Sequence, residues 1–367
     1  MLHRFAKLVV ACTVILILVG SLVTSHDAGL SVPDWPTSYG WNMFTFPPSM
    51  WVANILYEHG HRLIASTVGF LTIILAVWLW LAEPRGWLRW LGVAALGTVI
   101  AQGVLGGLTV LFFLPPAVST AHAGLAEIFF CLTVAIALFT SPGWKNGYVV
   151  GAGAGVGPRT PGAGSGGLQA LTAATTILIY AQILVGATMR HTGAGLAIPD
   201  FPWMFGHVVP DHWDAGIAIH FAHRAGALVV TLAILATAWY VRMYRDRREL
   251  TRPASLLVAL VAAQVTLGAL TVLSRRDPWI NSLHVVCGAL VLTTALVLTL
   301  RVWRERVADA TVRLKPDTTG GATIGGATVR LKPDTTGGGG AAVRRKPDTG
   351  VGSVRLQADR DPIRGRA

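Results

Sequence analysis

The sequence contains eight apolar runs that are each long enough to cross a lipid bilayer, which takes about 20 helical residues. Lipid offers no hydrogen-bond partners, so a spanning segment must satisfy its own backbone, and a helix does this most simply. We therefore predict an all-α integral membrane protein with eight transmembrane helices, near residues 8–24, 59–82, 88–111, 118–140, 168–189, 215–241, 254–273 and 280–301.

Composition supports a membrane protein. Of the 367 residues, 53% are hydrophobic and only 13% are charged, whereas soluble domains carry about a quarter charged residues. The net charge of +12 lies largely in short connections and in the C-terminal tail, a pattern typical of membrane orientation rather than of nucleic-acid binding. The first run follows His3, Arg4 and Lys7 and resembles a secretory signal. We expect it to be retained, because it has a counterpart later in the chain.

Basic residues are concentrated in alternate connections. The segments 83–89, 141–167 and 242–252 contain Lys or Arg, whereas 25–54 and 112–117 contain neither. Because cytoplasmic loops are enriched in Lys and Arg, this bias predicts that both termini are cytoplasmic. We expect a multi-pass protein of the bacterial inner (cell) membrane.

The chain contains an internal repeat. GLSVPDWP at 29–36 matches GLAIPDFP at 195–202, and other matches recur at an offset of 162. Four helices per repeat predict two pseudo-symmetric four-helix bundles related by an axis along the membrane normal. The predicted organisation is a bundle at 1–140, a flexible Gly-, Pro- and Ala-rich linker at 141–167, a second bundle at 168–303, and a low-complexity, disordered tail at 304–367.

Two histidines in each half fall at corresponding positions near the predicted outer surface: His61 and His122, then His223 and His284. A single histidine in a membrane helix is usually a packing residue, but polar groups that recur at one depth tend to be functional. Imidazoles from facing helices suit the two axial positions of haem iron, whereas zinc prefers three or four converging ligands. We predict that all four histidines are haem ligands. The three cysteines are far apart and are interpreted as packing residues.

Other polar residues accompany these histidines. Arg62 and Arg224 directly follow the first histidine of each pair, and they could bind haem propionates or reach lipid headgroups. Glu58 precedes the first histidine by one helical turn, and its equivalent in the second half is His220. We predict that Glu58 is catalytic and exchanges protons beside one haem only; the alternative is a structural pair with an arginine. No role is predicted for His59 or His220.

In their order along the chain, these motifs resemble the haem A synthase family, the CtaA/Cox15 group, over about residues 1–305. The resemblance implies haem O as substrate in the N-terminal half, haem B as resident cofactor in the C-terminal half, and Glu58 as the essential carboxylate. It implies an oxidoreductase that converts the C8 methyl of haem O to a formyl group by successive hydroxylations. The product, haem A, would then serve cytochrome oxidase.

Candidate partners are haem O, haem O synthase, cytochrome oxidase assembly factors, further copies of this chain, and a membrane quinone or another electron acceptor. Some bacterial members of the family carry a cysteine pair where this chain has Val32 and Ser38, so a disulfide there is excluded. Two other interpretations remain open. A di-haem electron-transfer protein would share the four histidines but would not need Glu58 in one half only. A transporter with parallel repeats would explain the duplication but not the histidine pairs.

Overall fold

The computed structural model describes residues 1–146, 165–244 and 247–314, together with two short strands further on. Within these residues the α-helices are α1 (Leu2–Ser25), α2 (Asn54–Ala82), α3 (Gly86–Leu111), α4 (Pro116–Thr140), α5 (Pro142–Asn146), α6 (Ser165–His191), α7 (Ala215–Val241), α8 (Arg248–Leu273) and α9 (Pro278–Leu314). Short 3₁₀ helices lie at Met43–Thr45, Pro48–Met50, Ala194–Leu196 and Arg242–Tyr244.

All of the α-helices except the five-residue α5 are long and apolar enough to cross a membrane, which gives eight candidate spans within the described residues. The prediction of an all-α membrane protein with eight transmembrane helices is thereby confirmed. Most helix ends lie within about six residues of the predicted ends, as expected for boundaries read from sequence. The exception is α9, which continues to Leu314 instead of ending near residue 301.

Helix α8 begins earlier than predicted because Pro253 lies inside it rather than at its start. Proline has no backbone N–H, so it cannot bond the carbonyl four residues earlier. That carbonyl belongs to Glu249, and it accepts a hydrogen bond of 2.7 Å from Nη1 of Arg301 on α9. The side chain from the neighbouring helix therefore satisfies the group that the proline leaves free.

Two helices form the centre of the transmembrane region. In α4 and α9, 56% and 44% of the spanning residues are buried, compared with 17–28% in the other spans. One apolar cluster draws on α1 to α4 and includes Leu79, Leu88 and Ile136, and a second draws on α6 to α9 and includes Ile234 and Leu292. Helix α4 packs against α6 and so links the two groups. The predicted pseudo-symmetry of the two bundles stays a prediction.

Polar side chains also join the two groups near the predicted outer surface. Arg190 on α6 donates hydrogen bonds to the hydroxyl (2.9 Å) and carbonyl (2.8 Å) of Ser21 and to the hydroxyl of Ser25 (2.8 Å) on α1. The Ser25 hydroxyl also lies 3.0 Å from that of Ser282 on α9. Hydrogen bonds of this kind are a common means of helix association in membranes.

The predicted linker and tail lie largely outside the described residues. The linker at 141–167 begins with α5 and is described again from the start of α6 at Ser165. In the tail predicted from residue 304, α9 extends to Leu314, and β1 (Thr323–Ile324) pairs with β2 (Ala327–Thr328) in an antiparallel ribbon. The prediction of disorder for the rest of the tail falls outside the described residues.

Candidate functional site

Asp34 closes the outer loop between α1 and α2 on itself. Its carboxylate accepts hydrogen bonds from the backbone N–H groups of Tyr39 (2.7 Å) and Gly40 (2.9 Å) and from the Thr37 hydroxyl (2.5 Å). Burial alone raises the pKa of Asp34, but these hydrogen bonds outweigh burial and bring the pKa below its ordinary value. The aspartate of the first loop motif is therefore a structural residue that shapes the loop as an anion.

The outer loop between α6 and α7 contains the same arrangement. Asp200 accepts hydrogen bonds from the backbone N–H groups of Phe205 (2.9 Å) and Gly206 (3.0 Å). Burial opposes ionisation here as well, yet these backbone hydrogen bonds lower the pKa of Asp200 below its ordinary value. The repeated Pro-Asp motif thus has the same local function in both loops.

Arg62 fastens the first loop to α2. Its Nη1 donates to the carbonyl oxygens of Asp34 (2.7 Å) and Thr37 (3.0 Å), and its Nη2 donates to the carbonyl of Val32 (2.7 Å) and to Oε1 of Glu58 (2.6 Å). Four of the five N–H bonds of a guanidinium have partners in this arrangement. The arginine therefore holds the loop at a fixed position above the helix.

Arg224 fastens the second loop to α7 in a similar way. Its Nη2 donates to the carbonyls of Ile198 (3.0 Å) and Asp200 (2.8 Å), and its Nη1 donates to the carbonyl of Trp203 (3.1 Å). The sequence did not predict that either arginine holds a loop, because a guanidinium near the membrane surface suits several partners. Their predicted pairing with haem propionates stays a prediction.

Glu58 and His220 take the same place in the two halves but offer different chemistry. Glu58 is 3% exposed. Its Oε2 accepts a hydrogen bond from the backbone N–H of Val32 at 2.7 Å, and its Oε1 accepts one from Arg62, one helical turn later. His220 is 2% exposed, with Nδ1 3.2 Å from the backbone N of Ile198 and Nε2 3.2 Å from Nε of Arg224. A neutral imidazole accepts at one nitrogen only, whereas a carboxylate accepts both bonds at once. The structural pairing considered for Glu58 is therefore present, and a catalytic role would be additional to it.

His59, for which the sequence suggested no role, packs beneath the first outer loop. Its Nδ1 lies 3.2 Å from the hydroxyl of Ser38, and its ring contacts those of Phe46 and Trp51, each at a centroid distance of 4.8 Å. Its Nε2 is buried and has no hydrogen-bond partner among the described residues. His59 therefore belongs to the packing of the loop, and it is not one of the four repeated histidines.

Each of the four repeated histidines lies against a glycine on the preceding helix. A Cβ atom built on those glycines would approach the imidazole Cε1 closely, at 2.8 Å for Gly20 and His61, 3.2 Å for Gly106 and His122, 2.8 Å for Gly186 and His223, and 3.0 Å for Gly268 and His284. Non-bonded carbons normally lie about 3.5–4.0 Å apart. The glycines are therefore required to make room for the imidazoles, and each ring is confined between two helices.

The second histidine pair is also held by glutamine contacts. Nε2 of Gln182 on α6 donates to the carbonyl of His223 (2.7 Å) and lies 3.0 Å from its Nδ1. Nδ1 of His284 lies 3.2 Å from the backbone carbonyl oxygen of Gln264 on α8, and a hydrogen bond there leaves Nε2 unprotonated, the form that can bind a metal. In this structure that nitrogen lies 3.4 Å from Nε2 of the Gln264 side chain. Ligating histidines commonly donate from their other nitrogen in this way, as His284 does. The Gln182 amide is itself a donor, so its contact fixes the position of the His223 ring but does not select the same tautomer.

The first pair is held less completely. Nδ1 of His61 is buried without a hydrogen-bond partner among the described residues. The position of Gln182 corresponds to Leu16 at the 166-residue offset of the loop motifs, so α1 offers no such amide. The two pairs therefore differ in how firmly the protein orients their rings.

The geometry of the second pair fits a haem iron. The ring centroids of His223 and His284 are 6.5 Å apart, with an angle of 75° between the planes. Metal–imidazole bonds are about 2 Å long, so one iron between the two rings would fill this separation. No group of three or more His, Cys, Asp or Glu residues in the described part of the chain could hold a metal ion. The two imidazoles of His223 and His284 therefore suit a haem iron with two axial histidines and do not suit a zinc site.

Some of these residues could have been found from the sequence and others could not. Gly20 and Gly186 are separated by the same 166 residues as the loop motifs, so the repeat itself marks them. Gln182 has no counterpart, and glutamine in a membrane helix does not specify its partner. Its contact with His223 could be seen only once α6 and α7 were packed together.

Comparison with known proteins agrees with the resemblance in the motifs. The family model described as cytochrome oxidase assembly protein, COX15-CtaA, matches residues 3–296, which include six whole transmembrane helices, all but one residue of α1 and most of α9. The chain belongs to the COX15-CtaA family. The match contains both outer loops and all four repeated histidines, so the candidate site lies wholly within the matched region.

Curated relatives match over most of their lengths. A protein of Symbiobacterium thermophilum named haem A synthase is 31% identical over 81% of this chain and 95% of its own length. Haem A synthases of Halalkalibacterium halodurans and Sphingopyxis alaskensis are each 28% identical, over 83% and 81% of this chain and 99% and 91% of their own lengths. These COX15-CtaA relatives are therefore similar throughout the transmembrane region and not only at isolated motifs.

Proposed function

We propose that this chain is a haem A synthase, an enzyme that oxidises haem O to haem A for cytochrome oxidase biogenesis. The names of its COX15-CtaA relatives support this activity. The observation that carries the proposal is the inequality between two otherwise similar sites. Each site has two histidines packed on glycines, but only the first has a carboxylate, Glu58, where the second has His220.

The proposal assigns haem B to His223 and His284 and haem O to His61 and His122. Glutamine contacts hold both rings of the second pair in place, which suits a permanently bound cofactor. The first pair lacks the equivalent of Gln182, which suits a ligand that must enter and leave as substrate and product. When bound, haem B would supply electron transfer away from the substrate site.

Glu58 is proposed as the catalytic residue. Converting the C8 methyl of haem O to a formyl group by successive hydroxylations removes protons and electrons, so a base or an anion close to the reacting carbon is useful. Arg62 and the Val32 N–H hold the carboxylate on the same helix as His61 and one turn away from it. The residue can there accept a proton or stabilise positive charge on the substrate. Arg62 and Arg224 would act by fixing the loops above the two haems.

The proposed location is the bacterial inner membrane with both termini cytoplasmic. Basic residues follow the ends of α2, α4 and α7 and lie at or near the starts of α1, α3 and α8, which all face one side if the eight helices alternate in direction. By the positive-inside rule that side is the cytoplasm. Both outer loops and all four histidines would then lie toward the outer surface.

The decisive experiment is production of the chain in a bacterial host that makes haem O but has no haem A synthase of its own. Extracted haems are separated by chromatography. We expect haem A, with or without a hydroxylated intermediate. Stable membrane protein that yields neither compound would refute the enzyme proposal, and a permanent spectrum of two B-type haems would instead support the di-haem electron-transfer protein.

Glu58→His separates catalysis from loop anchoring, because it gives the first half the residue that the second half uses at this position. We expect normal protein and haem B levels but a loss of haem A. Asp211→Asn is a matched control, since that carboxylate pairs with His212 on the exposed surface, and we expect it to leave haem A unchanged. Wild-type haem A from Glu58→His would show that Glu58 is a structural residue only, without affecting the proposal for the whole enzyme.

A further inference from the structure

A cavity lies where α8 and α9 meet α4, toward the opposite ends of α4 and α9 from His122 and His284. Its volume is about 580 Å³, and its lining includes Arg248, Arg252, Leu256, Val297, Arg301 and Val134. Helix α4 contributes Val134, while α8 and α9 contribute the other residues, so the cavity bridges the two groups of helices. It opens at the end of the helices that carries the basic residues.

The mouth of this cavity is strongly positive. Arg248 and Arg252 are exposed, and neither forms an ion pair within the described residues. The single carboxylate of the lining, Glu249, is already paired at 2.6 Å with Arg247, which does not line the cavity. The first turn of α8 also lies here, and a helix start favours anions. The positive charge at the mouth of the cavity therefore favours the binding of an anionic group.

Arg301 is fixed in the lining by the proline of α8. Its Nη1 donates to the Glu249 carbonyl that Pro253 leaves without a helical partner. This bond helps to set the position of the planar guanidinium head. The third cation of the cavity thus has a defined place beside the two exposed arginines.

The deeper part of the cavity is mainly apolar and lies within the membrane span. Leu256 follows Arg252 by one helical turn, and Thr293 precedes Arg301 by eight residues, or about 12 Å of helix. Val134 and Val297 line the same depth. A small soluble anion would fill only the mouth, whereas a molecule with a charged head and a hydrocarbon chain would fill both parts.

We propose that this cavity binds an anionic phospholipid, with its phosphate at Arg248, Arg252 and Arg301 and one acyl chain along Leu256, Val297 and Val134. Basic pockets between transmembrane helices are known to select anionic headgroups at the cytoplasmic surface. The bound lipid would connect α4 to α8 and α9 at the end of the molecule opposite to the outer-loop contacts.

The test is native mass spectrometry of the full chain, purified in mild detergent, delipidated, and titrated with phosphatidylglycerol or with phosphatidylcholine of the same acyl chains. We expect tighter binding of the anionic lipid. The double variant Arg248→Gln/Arg252→Gln should weaken its binding roughly 25-fold, because each basic residue near a lipid surface contributes a factor of about five. Arg242→Gln, at the same end of the molecule but outside the cavity, is the matched control and should change binding little.

A second variant tests the apolar part without changing charge. Leu256→Trp should fill the cavity and reduce the binding of long-chain phosphatidylglycerol, while a dihexanoyl lipid should bind weakly to every form. Equal binding of the two headgroups, or equal effects of the double variant and the Arg242 control, would overturn the proposal. Displacement of the lipid by millimolar inorganic phosphate would also overturn it, since the site would then recognise phosphate alone.

Discussion

Gly20→Ala should displace His61, because the added Cβ would lie 2.8 Å from Cε1 of the imidazole. Carbon atoms in contact normally lie about 3.5–4.0 Å apart, so the ring or α1 must move by about 1 Å. Metal–ligand distances tolerate only about 0.2 Å, so a shift of this size disturbs an axial ligand. Overpacking costs about 1–3 kcal/mol, which corresponds to a roughly 5- to 150-fold loss of affinity for the ligated haem.

Gly186→Ala introduces the same clash in the second half, where the Cβ would also lie 2.8 Å from Cε1 of its histidine, His223. Under the proposed division of roles, this variant should lose haem B. Gly20→Ala should keep haem B but fail to convert haem O. Because the two clashes are equal in size, a difference in outcome reports the role of each half and not the severity of the substitution.

The assay combines the haem content of the purified variants with the haems extracted from the host that makes haem O. Gly69→Ala and Gly97→Ala are matched controls, since a Cβ at either position has no neighbour within 4 Å. Both controls should behave as wild type. Loss of haem B from Gly20→Ala but not from Gly186→Ala would refute the assignment of the halves. Unchanged haem binding and activity in both variants would refute ligation by these histidines.

Three further predictions concern other parts of the chain. Gln182→Leu, which copies Leu16 of the first half, should lower haem B content while leaving the folded protein in the membrane; unchanged haem B would remove the glutamine from cofactor binding. Hydrogen bonding to Arg85, together with the charge of that arginine and of Lys145, lowers the pKa of Glu83, so its stabilising effect is present above the ordinary value of 4.5 and is lost as pH falls through the lowered pKa. Glu83→Gln should therefore lower the thermal unfolding midpoint at pH 7, which corresponds to a loss of about 1.5–3 kcal/mol in the free energy of unfolding. The variant should lower the midpoint much less at pH 3, and an equal loss at both pH values would contradict this. Arg301→Ala should destabilise the chain by about 1 kcal/mol because it leaves the partly buried Glu249 carbonyl without this partner, and adding Pro253→Ala should restore the midpoint by supplying the missing N–H; a double variant no more stable than the single one would contradict the explanation.

The sequence was sufficient for the transmembrane helices because lipid imposes one simple requirement on every residue of a span. The start of α8 was harder to predict, since a proline at 253 normally marks a helix boundary. Here a guanidinium from α9 satisfies the freed carbonyl, and no local pattern near Pro253 contains that information.

In the candidate site, too, some features could be predicted from the sequence and others could not. The four repeated histidines and Glu58 could be predicted because two copies of the motif were available for comparison. The partners of Arg62 and Arg224 could not, because loop carbonyls, haem propionates and lipid headgroups all attract a guanidinium equally well in sequence terms. Only the folded path of the outer loops distinguishes among them.

Arg190 joins α6 to α1 through Ser21 and Ser25, and each of these two helices carries a glycine that confines a histidine of its own half. The two histidine sites are therefore connected by a short sequence of packed helices and not by a flexible loop. Such a frame would hold the two haems at a nearly constant distance during turnover. Electron tunnelling depends steeply on distance, so a fixed separation between the two proposed haems would make the transfer rate a property of this helical frame.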